Sequence, residues 1–348
     1  MRALAMVAAV VVCAAVAAAP APPVTSSPID EKISAIAAAA DAPVIAVASA
    51  HHVWISRDDG KTFARALDGH GGVDALFVEP AGRVYVVWLD VKSYTDVGGG
   101  HVSADQLTLG IADPDGREHW RELPGAALPP MAARDGWLAS AGAHDATRAM
   151  SGLELGSGAG DSWRGVPSPQ KWAVLAVAMD EHHTARFLAS RTRIDEEGVG
   201  HGLYELAASD DRVATVWSTM KSVELVTDEF PRNVIPCAGF AGASLYLVHG
   251  GRLIAVDHAG KERDRELGSD GVATGCAIAG NDRAAYLNIG SKLIRIDSDD
   301  LRIADDPHGT FDAMAVDAHG FLLYLTGGCV DRYDGSPTKR RDQVVCGR

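Results

Sequence analysis

The sequence predicts an all-β fold, a single β-propeller of about seven four-stranded blades, behind an N-terminal signal peptide. Three observations predict it. Short apolar runs rich in Val, Ile, Leu and Tyr recur between Gly/Asp turns, with little helical periodicity. Tyrosine-bearing strands return in phase: Tyr246, Tyr286 and Tyr324 lie 40 and 38 residues apart. Each such strand follows a small-residue strand and a turn, as in Phe311–Val316 followed by Asp317–Gly320. A repeat of about 40 residues made of short strands marks blades that bury their apolar faces against one another.

In chain order, Met1-Arg2 supplies a short positive start and Ala3–Val16 an uncharged apolar run. Small residues from Val16 to Pro23 suit a signal peptidase, and a cut after Ala18 avoids a proline directly behind it. The domains expected are a signal peptide over 1–18, a Pro/Ser-rich linker over 19–32 and the propeller over 33–348. A retained anchor fits less well, since the run falls short of the roughly 20 residues a spanning helix needs. A lipid-modified Cys13 would require a small residue where Val12 stands. Export to a periplasm or the cell exterior is expected, with no stable membrane insertion once the leader is gone. The formal net charge of −14 repels phosphate backbones and anionic lipid, so nucleic acid is not an expected partner.

Seven copies of the four-strand unit can be laid down, beginning near Ile33, Gly72, Met131, Lys171, Asn233, Gly271 and Thr310. Ala/Gly-rich first strands suit the crowded centre, and charged fourth strands such as Lys261–Glu266 suit a solvated rim. Six or eight blades, a β-sandwich, or two smaller β domains stay open as alternatives.

Ser56-Arg57-Asp58-Asp59-Gly60-Lys61-Thr62-Phe63 fits Ser-x-Asp-x-Gly-x-Thr-aromatic at Ser56, Asp58, Gly60, Thr62 and Phe63. Physically this suits a tight hairpin: the carboxylate accepts backbone N–H groups, Gly60 takes positive φ, and Thr62 and Phe63 tie the turn to the blade. Gly156–Trp163 is a decayed copy, and Asp115-Gly116 with Trp120 a distorted one. The motif resembles the Asp-box (BNR-repeat) propellers, a group including sialidases, sortilin-type receptors and photosystem II assembly factors. In the second half, Gly251–Asp257 with Ala259–Glu262 is similar to quinoprotein and assembly-platform repeats, and Val316–Gly320 leading into Tyr324 is similar to NHL-type blades. The resemblance implies the fold without fixing an activity.

Sialidases of that group use an arginine cluster, a Tyr–Glu nucleophile pair and an Asp acid, with an early Arg-Ile-Pro. Here no arginine lies between the leader and Arg57, and Phe230–Pro236 has the ingredients in the wrong order. Adjacent histidines such as His51-His52 point to opposite faces of a strand and do not converge on a metal. No catalytic residue, metal site or cofactor is expected. A sialidase-like or other hydrolase is the alternative function.

With Cys13 removed, Cys237, Cys276, Cys329 and Cys346 remain, an even count that reads as two disulfides in an exported chain. The favoured pairing joins Cys329 to Cys346 within the last blade, and Cys237 to Cys276 between innermost strands of successive blades. Long connections over Asp90–Gln106, Gly142–Gly152 and Arg191–Gly202 fall between second and third strands of three consecutive blades, where binding residues concentrate. They carry Tyr94, Asp96, His101, His144, Arg148, Arg191, Arg193, Asp195, Glu196 and His201. These residues are expected to form one rim of a polar recognition surface. The expected function is therefore an exported, non-catalytic binding or assembly module for a protein or glycan.

Overall fold

The computed structural model describes residues 29–69, 71–95, 101–123, 127–143, 150–166, 173–193, 198–207, 212–219, 237–249, 251–267, 276–289, 292–296, 303–306, 311–334 and 342–347. The expected signal peptide lies outside the described residues.

The chain forms a ring of seven antiparallel four-stranded sheets, each built from four consecutive strands. Blade 1 holds β1 (Ala35–Ala38), β2 (Ile45–Ala48), β3 (His52–Ser56) and β4 (Ala64–Asp68). Blade 2 holds β5 (Gly72–Val78), β6 (Val84–Thr95), β7 (His101–Ala112) and β8 (Glu118–Glu122). Blade 3 holds β9 (Ala127–Arg134), β10 (Trp137–Ala143), β11 (Met150–Ser157) and β12 (Ser162–Val166). Blade 4 holds β13 (Ala173–Met179), β14 (Thr184–Arg193), β15 (Gly198–Ala207) and β16 (Ala214–Ser218). Blade 5 holds β17 (Cys237–Ala241), β18 (Ser244–His249), β19 (Arg252–Val256) and β20 (Glu262–Glu266). Blade 6 holds β21 (Cys276–Gly280), β22 (Ala285–Ile289), β23 (Lys292–Ile296) and β24 (Ile303–Asp306). Blade 7 holds β25 (Ala313–Val316), β26 (Leu322–Thr326), β27 (Cys329–Tyr333) and β28 (Asp342–Cys346). The count of seven settles the choice among six, seven and eight, and the single ring replaces the sandwich alternative.

The second strand of each blade explains the apolar runs. Side chains alternate across a strand, and here both faces of the strand are covered by neighbouring blades. In β6, Val84, Val86 and Trp88 pack toward blade 1, while Tyr85 and Val87 pack toward blade 3. In β26, Leu323 and Leu325 face blade 1, and Leu322 and Tyr324 face blade 6. The in-phase tyrosines all lie on second strands and are buried: Tyr85, Tyr246, Tyr286 and Tyr324. Apolar clusters among the described residues fall one to each inter-blade gap. Fully burying one Val, Leu or Ile contributes about 1.5–3 kcal/mol, so the gaps hold the ring together.

Innermost strands touch in sequence, β1 to β5, β9, β13, β17, β21 and β25, and β25 returns to β1. No strand is exchanged to close the circle, because the first sheet is β1–β4 and the last β25–β28. Residues 29–32, the end of the expected linker, are seated in the structure rather than loose. Ile29 and Ile33 are buried in the gap between blades 7 and 1.

Candidate functional site

In an antiparallel meander the turns alternate ends, so each blade contributes its first and third turns to one face of the ring. Its second turn, and the link to the next blade, lie on the other face. The two faces are built differently.

On the first face a five-residue turn recurs. In Glu79–Arg83, Asp113–Arg117, Asp180–Thr184, Asp257–Lys261 and Asp317–Phe321, the first N–H bonds to the fifth carbonyl. The fourth N–H bonds back to the first carbonyl. Asp180, Asp257 and Asp317 also accept the third and fifth backbone N–H groups on Oδ1, at 2.8–3.0 Å. The fourth position has positive φ, which glycine adopts without penalty: Gly82, Gly116, Gly260 and Gly320, with His183 (φ 58°) as the exception.

The turn at Ser56–Phe63 joins β3 to β4. Asp58 Oδ1 accepts the Thr62 N–H (2.9 Å) and the Ser56 hydroxyl (2.8 Å), and Oδ2 accepts the Thr62 hydroxyl (2.7 Å). Gly60 takes φ 85° and donates its N–H to Ser56 Oγ, while Phe63 is buried. These bonds outweigh burial and hold the Asp58 carboxyl below its ordinary range. The two residues either side of Asp58 point outward. Arg57 donates to the carbonyls of Gly82 (3.2 Å) and Asp113 (2.6 Å) in blade 2. Asp59 accepts Arg332 of blade 7 at 2.6 and 3.2 Å.

Similar links run round this face. Glu79 of blade 2 accepts the Gly136 N–H of blade 3, and Arg121 pairs with Asp161. Trp137 of blade 3 stacks on His183 of blade 4, whose Nε2 lies 3.6 Å from Asp135. Arg186 of blade 4 donates to the Ala243 carbonyl of blade 5. Asn281 of blade 6 donates to the Asp317 carbonyl of blade 7, and Tyr286 to that of Gly320.

The densest cluster of ionisable groups on this face lies between blades 1, 2 and 3. Tyr85 Oη donates to Glu79 Oε1 at 2.5 Å. Arg83 Nε bonds Asp113 at 2.6 Å, and His119 Nε2 lies 2.9 Å from the same carboxylate. A Tyr–Glu pair near arginines has the composition of a nucleophilic centre, but its physics runs the other way. Burial first, then the Glu79 charge, pushes the Tyr85 phenol up, and the ring is fully buried. An activated phenol needs the opposite shift and an open approach. This cluster is a brace between blades.

On the second face, the connections read from sequence as long loops are largely strand. In blade 2, β6 and β7 stay paired from Asp90↔Gln106 to Thr95↔His101. Yet among the described residues β5 stops pairing β6 at Leu89, and the β8 side reaches no further along β7 than the Leu107 carbonyl, which accepts the Leu123 N–H. The result is a two-stranded ribbon reaching about 20 Å past the sheet, at about 3.3 Å per residue. Blade 4 carries a shorter one, Arg191↔Gly200 to Arg193↔Gly198, beyond the ends of β13 and β16. In blade 3 the described pairing reaches Ala143↔Met150. By contrast β26–β27 turns over Gly327-Gly328, both at positive φ, as a two-residue hairpin requires.

Tyr94 and His101 thus stand near the tip of the blade 2 ribbon, and Arg191 and Arg193 on that of blade 4. Asp96, His144, Arg148, Asp195 and Glu196 lie outside the described residues. His201 departs from the expectation of a surface residue: it is fully buried at the ribbon base, where its backbone N–H donates to Thr219 Oγ1 at 3.0 Å. The sequence reading missed the ribbons because Gly98-Gly99-Gly100 draws attention to a loop. It missed the links made by Arg57 and Asp59 because these two residues fill unspecified positions of the motif.

Cys329 and Cys346 form a disulfide between β27 and β28. Cys237 is also disulfide-bonded. The Cys276 side chain lies outside the described residues. Gly239 packs against Ile278 two residues further along the adjoining inner strands, a register that sets positions 237 and 276 side by side. Among the described residues, no group of three or more His, Cys, Asp or Glu side chains is placed to hold a metal ion, and no helix is long and apolar enough to cross a membrane.

No family model matches the chain, and no curated protein matches it. Solved structures do. A chain of "Crystal Structure of Mitotic Checkpoint Complex" superposes with a TM-score of 0.54 at 11% identity, over 92% of this chain and 96% of that one. A chain of "YCF48 bound to D1 peptide" superposes with a TM-score of 0.49 at 13% identity, over 89% and 94%. Such low identity speaks to the fold alone. The chain is a seven-bladed β-propeller, similar in architecture to the first of these structures.

Proposed function

We propose that this chain is an exported binding or assembly module, not an enzyme, and that its partner, a protein or glycan, docks on the ribbon face of blades 2 to 4. One observation carries the reading: β6 and β7 run on together past the edge of their sheet. Strand pairs that outrun the neighbouring strands of their sheet are not needed to complete the blade's ladder, so their length points to a use outside it. The ribbon sequence includes Lys92, Tyr94 and His101, residue types of the kind that recognition surfaces use. The apolar leader supports export, as does the presence of disulfides.

The test replaces residues 91–105 by an Asn-Gly turn and compares pull-downs from the exported fraction, together with binding to immobilised glycans. The account expects the intact chain to retain a partner that the trimmed chain loses, while both fold alike. Equal retention by both chains would overturn the ribbon face as the docking site. Turnover of glycoside substrates by the purified chain would overturn the non-catalytic reading.

A further inference from the structure

The ring closes without strand exchange, so the gap between blades 7 and 1 is the one place where only side chains and chain ends resist opening. Residues 29–34 lie across it as a strap. Ile29 and Ile33 sink into the apolar cluster that blades 1 and 7 share. The Ser34 N–H bonds to the Ala48 carbonyl (2.8 Å). The Glu31 carboxylate accepts the Ser49 hydroxyl and lies 2.6 Å from His52 Nδ1, both in blade 1. The strap's other side rests on blade 7. Gly347 leaves no room for a Cβ beside the Glu31 carbonyl and the Ile33 N–H, and Gly328 lies against Lys32. The Gly347 N–H also bonds to the Gly328 carbonyl (3.0 Å).

Gly328 and Gly347 each adjoin a cysteine of one disulfide, Cys329 and Cys346. The bridge therefore fixes the two glycines on which the strap lies. At the opposite end of the same gap, Arg332 holds Asp59 and lies 3.0 Å from the buried Asp317 carboxylate. That pair needs no disulfide.

We propose that residues 29–34 are a latch whose seat is made by the Cys329–Cys346 disulfide. With the bridge cut, the C-terminal end lifts, the strap leaves, and the ring opens locally between blades 7 and 1 while its other gaps stay closed. A dithiol reductant supplies the two electrons and two protons for cleavage and itself becomes a disulfide.

Hydrogen exchange followed by mass spectrometry tests this on the full chain, on the C329A/C346A variant and on Gly347→Val. The double variant isolates this bridge from the one at Cys237. Gly347→Val blocks the seat with the disulfide intact. Both variants are expected to speed exchange of peptides covering 31–35 and 343–347 by roughly tenfold or more, with peptides covering 134–138 and 180–186 unchanged. Unchanged exchange over 31–35 in both variants would overturn the latch. Equal acceleration around the whole ring would show general destabilisation instead, and would overturn it too.

Discussion

The two faces of the ring divide the work of the sequence. On the tight-turn face, short turns carry residues that reach sideways: Arg57 to blade 2, Asp59 to blade 7, Glu79 to blade 3, Asn281 to blade 7. On the ribbon face, among the described residues, β6 and β7 pair with each other alone beyond Leu89 and Leu107. A face wired between blades is costly to change where a link holds a buried partner, as at Glu79 and Asn281. A ribbon that outruns the neighbouring strands of its sheet can lengthen or shorten with little cost to the blade's ladder. The comparison predicts where substitutions cost stability and where they cost only a partner.

The largest effect is expected at Glu79. Glu79→Ala strands the Tyr85 hydroxyl and the Gly136 N–H in a buried site, a loss of about 2–4 kcal/mol that a urea unfolding midpoint will register. Next comes Gly260→Ala, where positive φ combines with a Cβ placed 2.5 Å from the Val216 carbonyl of the adjacent blade. A cost of about 1–3 kcal/mol is expected in the same titration.

Acid should act on the tight-turn face. Backbone N–H groups hold the Asp257 carboxyl low, and Asp113, despite burial, is held low by Arg83 and His119. Asp58 shifts the same way. A carboxyl depressed in the folded chain stabilises it fully above its unfolded value near pH 4, and that contribution is lost as pH falls through the folded value. Thermal midpoints measured against pH should therefore drop below about pH 4, and Asp58→Asn should flatten that acid limb. The smallest effect is expected at His183→Gly. Relief of left-handed backbone and loss of the Trp137 stack oppose each other, leaving a change within about 0.5 kcal/mol.

The fold was legible because propeller blades repeat a chemical necessity. A second strand buried on both faces must be apolar throughout, and its tyrosine must find a partner, as Tyr286 does in the Gly320 carbonyl. The seven predicted starts lie within a few residues of β1, β5, β9, β13, β17, β21 and β25. The site was less legible. Whether Asp90–Gln106 is loop or ribbon depends on pairing between strands, which Val, Ser and Thr permit without dictating. The recurring acid-led turn was hidden by Glu79 at its head in one copy and His183 at its glycine position in another. Burial of His201 follows from its place at the ribbon base, something no spacing reveals.

The central claim is that substitutions which cut links on the wired face cost the ring stability, on top of the apolar gaps that hold it together, and that trimming a ribbon does not. Scanning calorimetry on two variants tests this most directly: Glu79→Ala, and the chain with 91–105 replaced by an Asn-Gly turn. The account predicts that the ribbon-trimmed chain melts within about 2 °C of the parent, while Glu79→Ala falls by about 5 °C or more. A trimmed chain that melts as low as Glu79→Ala would contradict it.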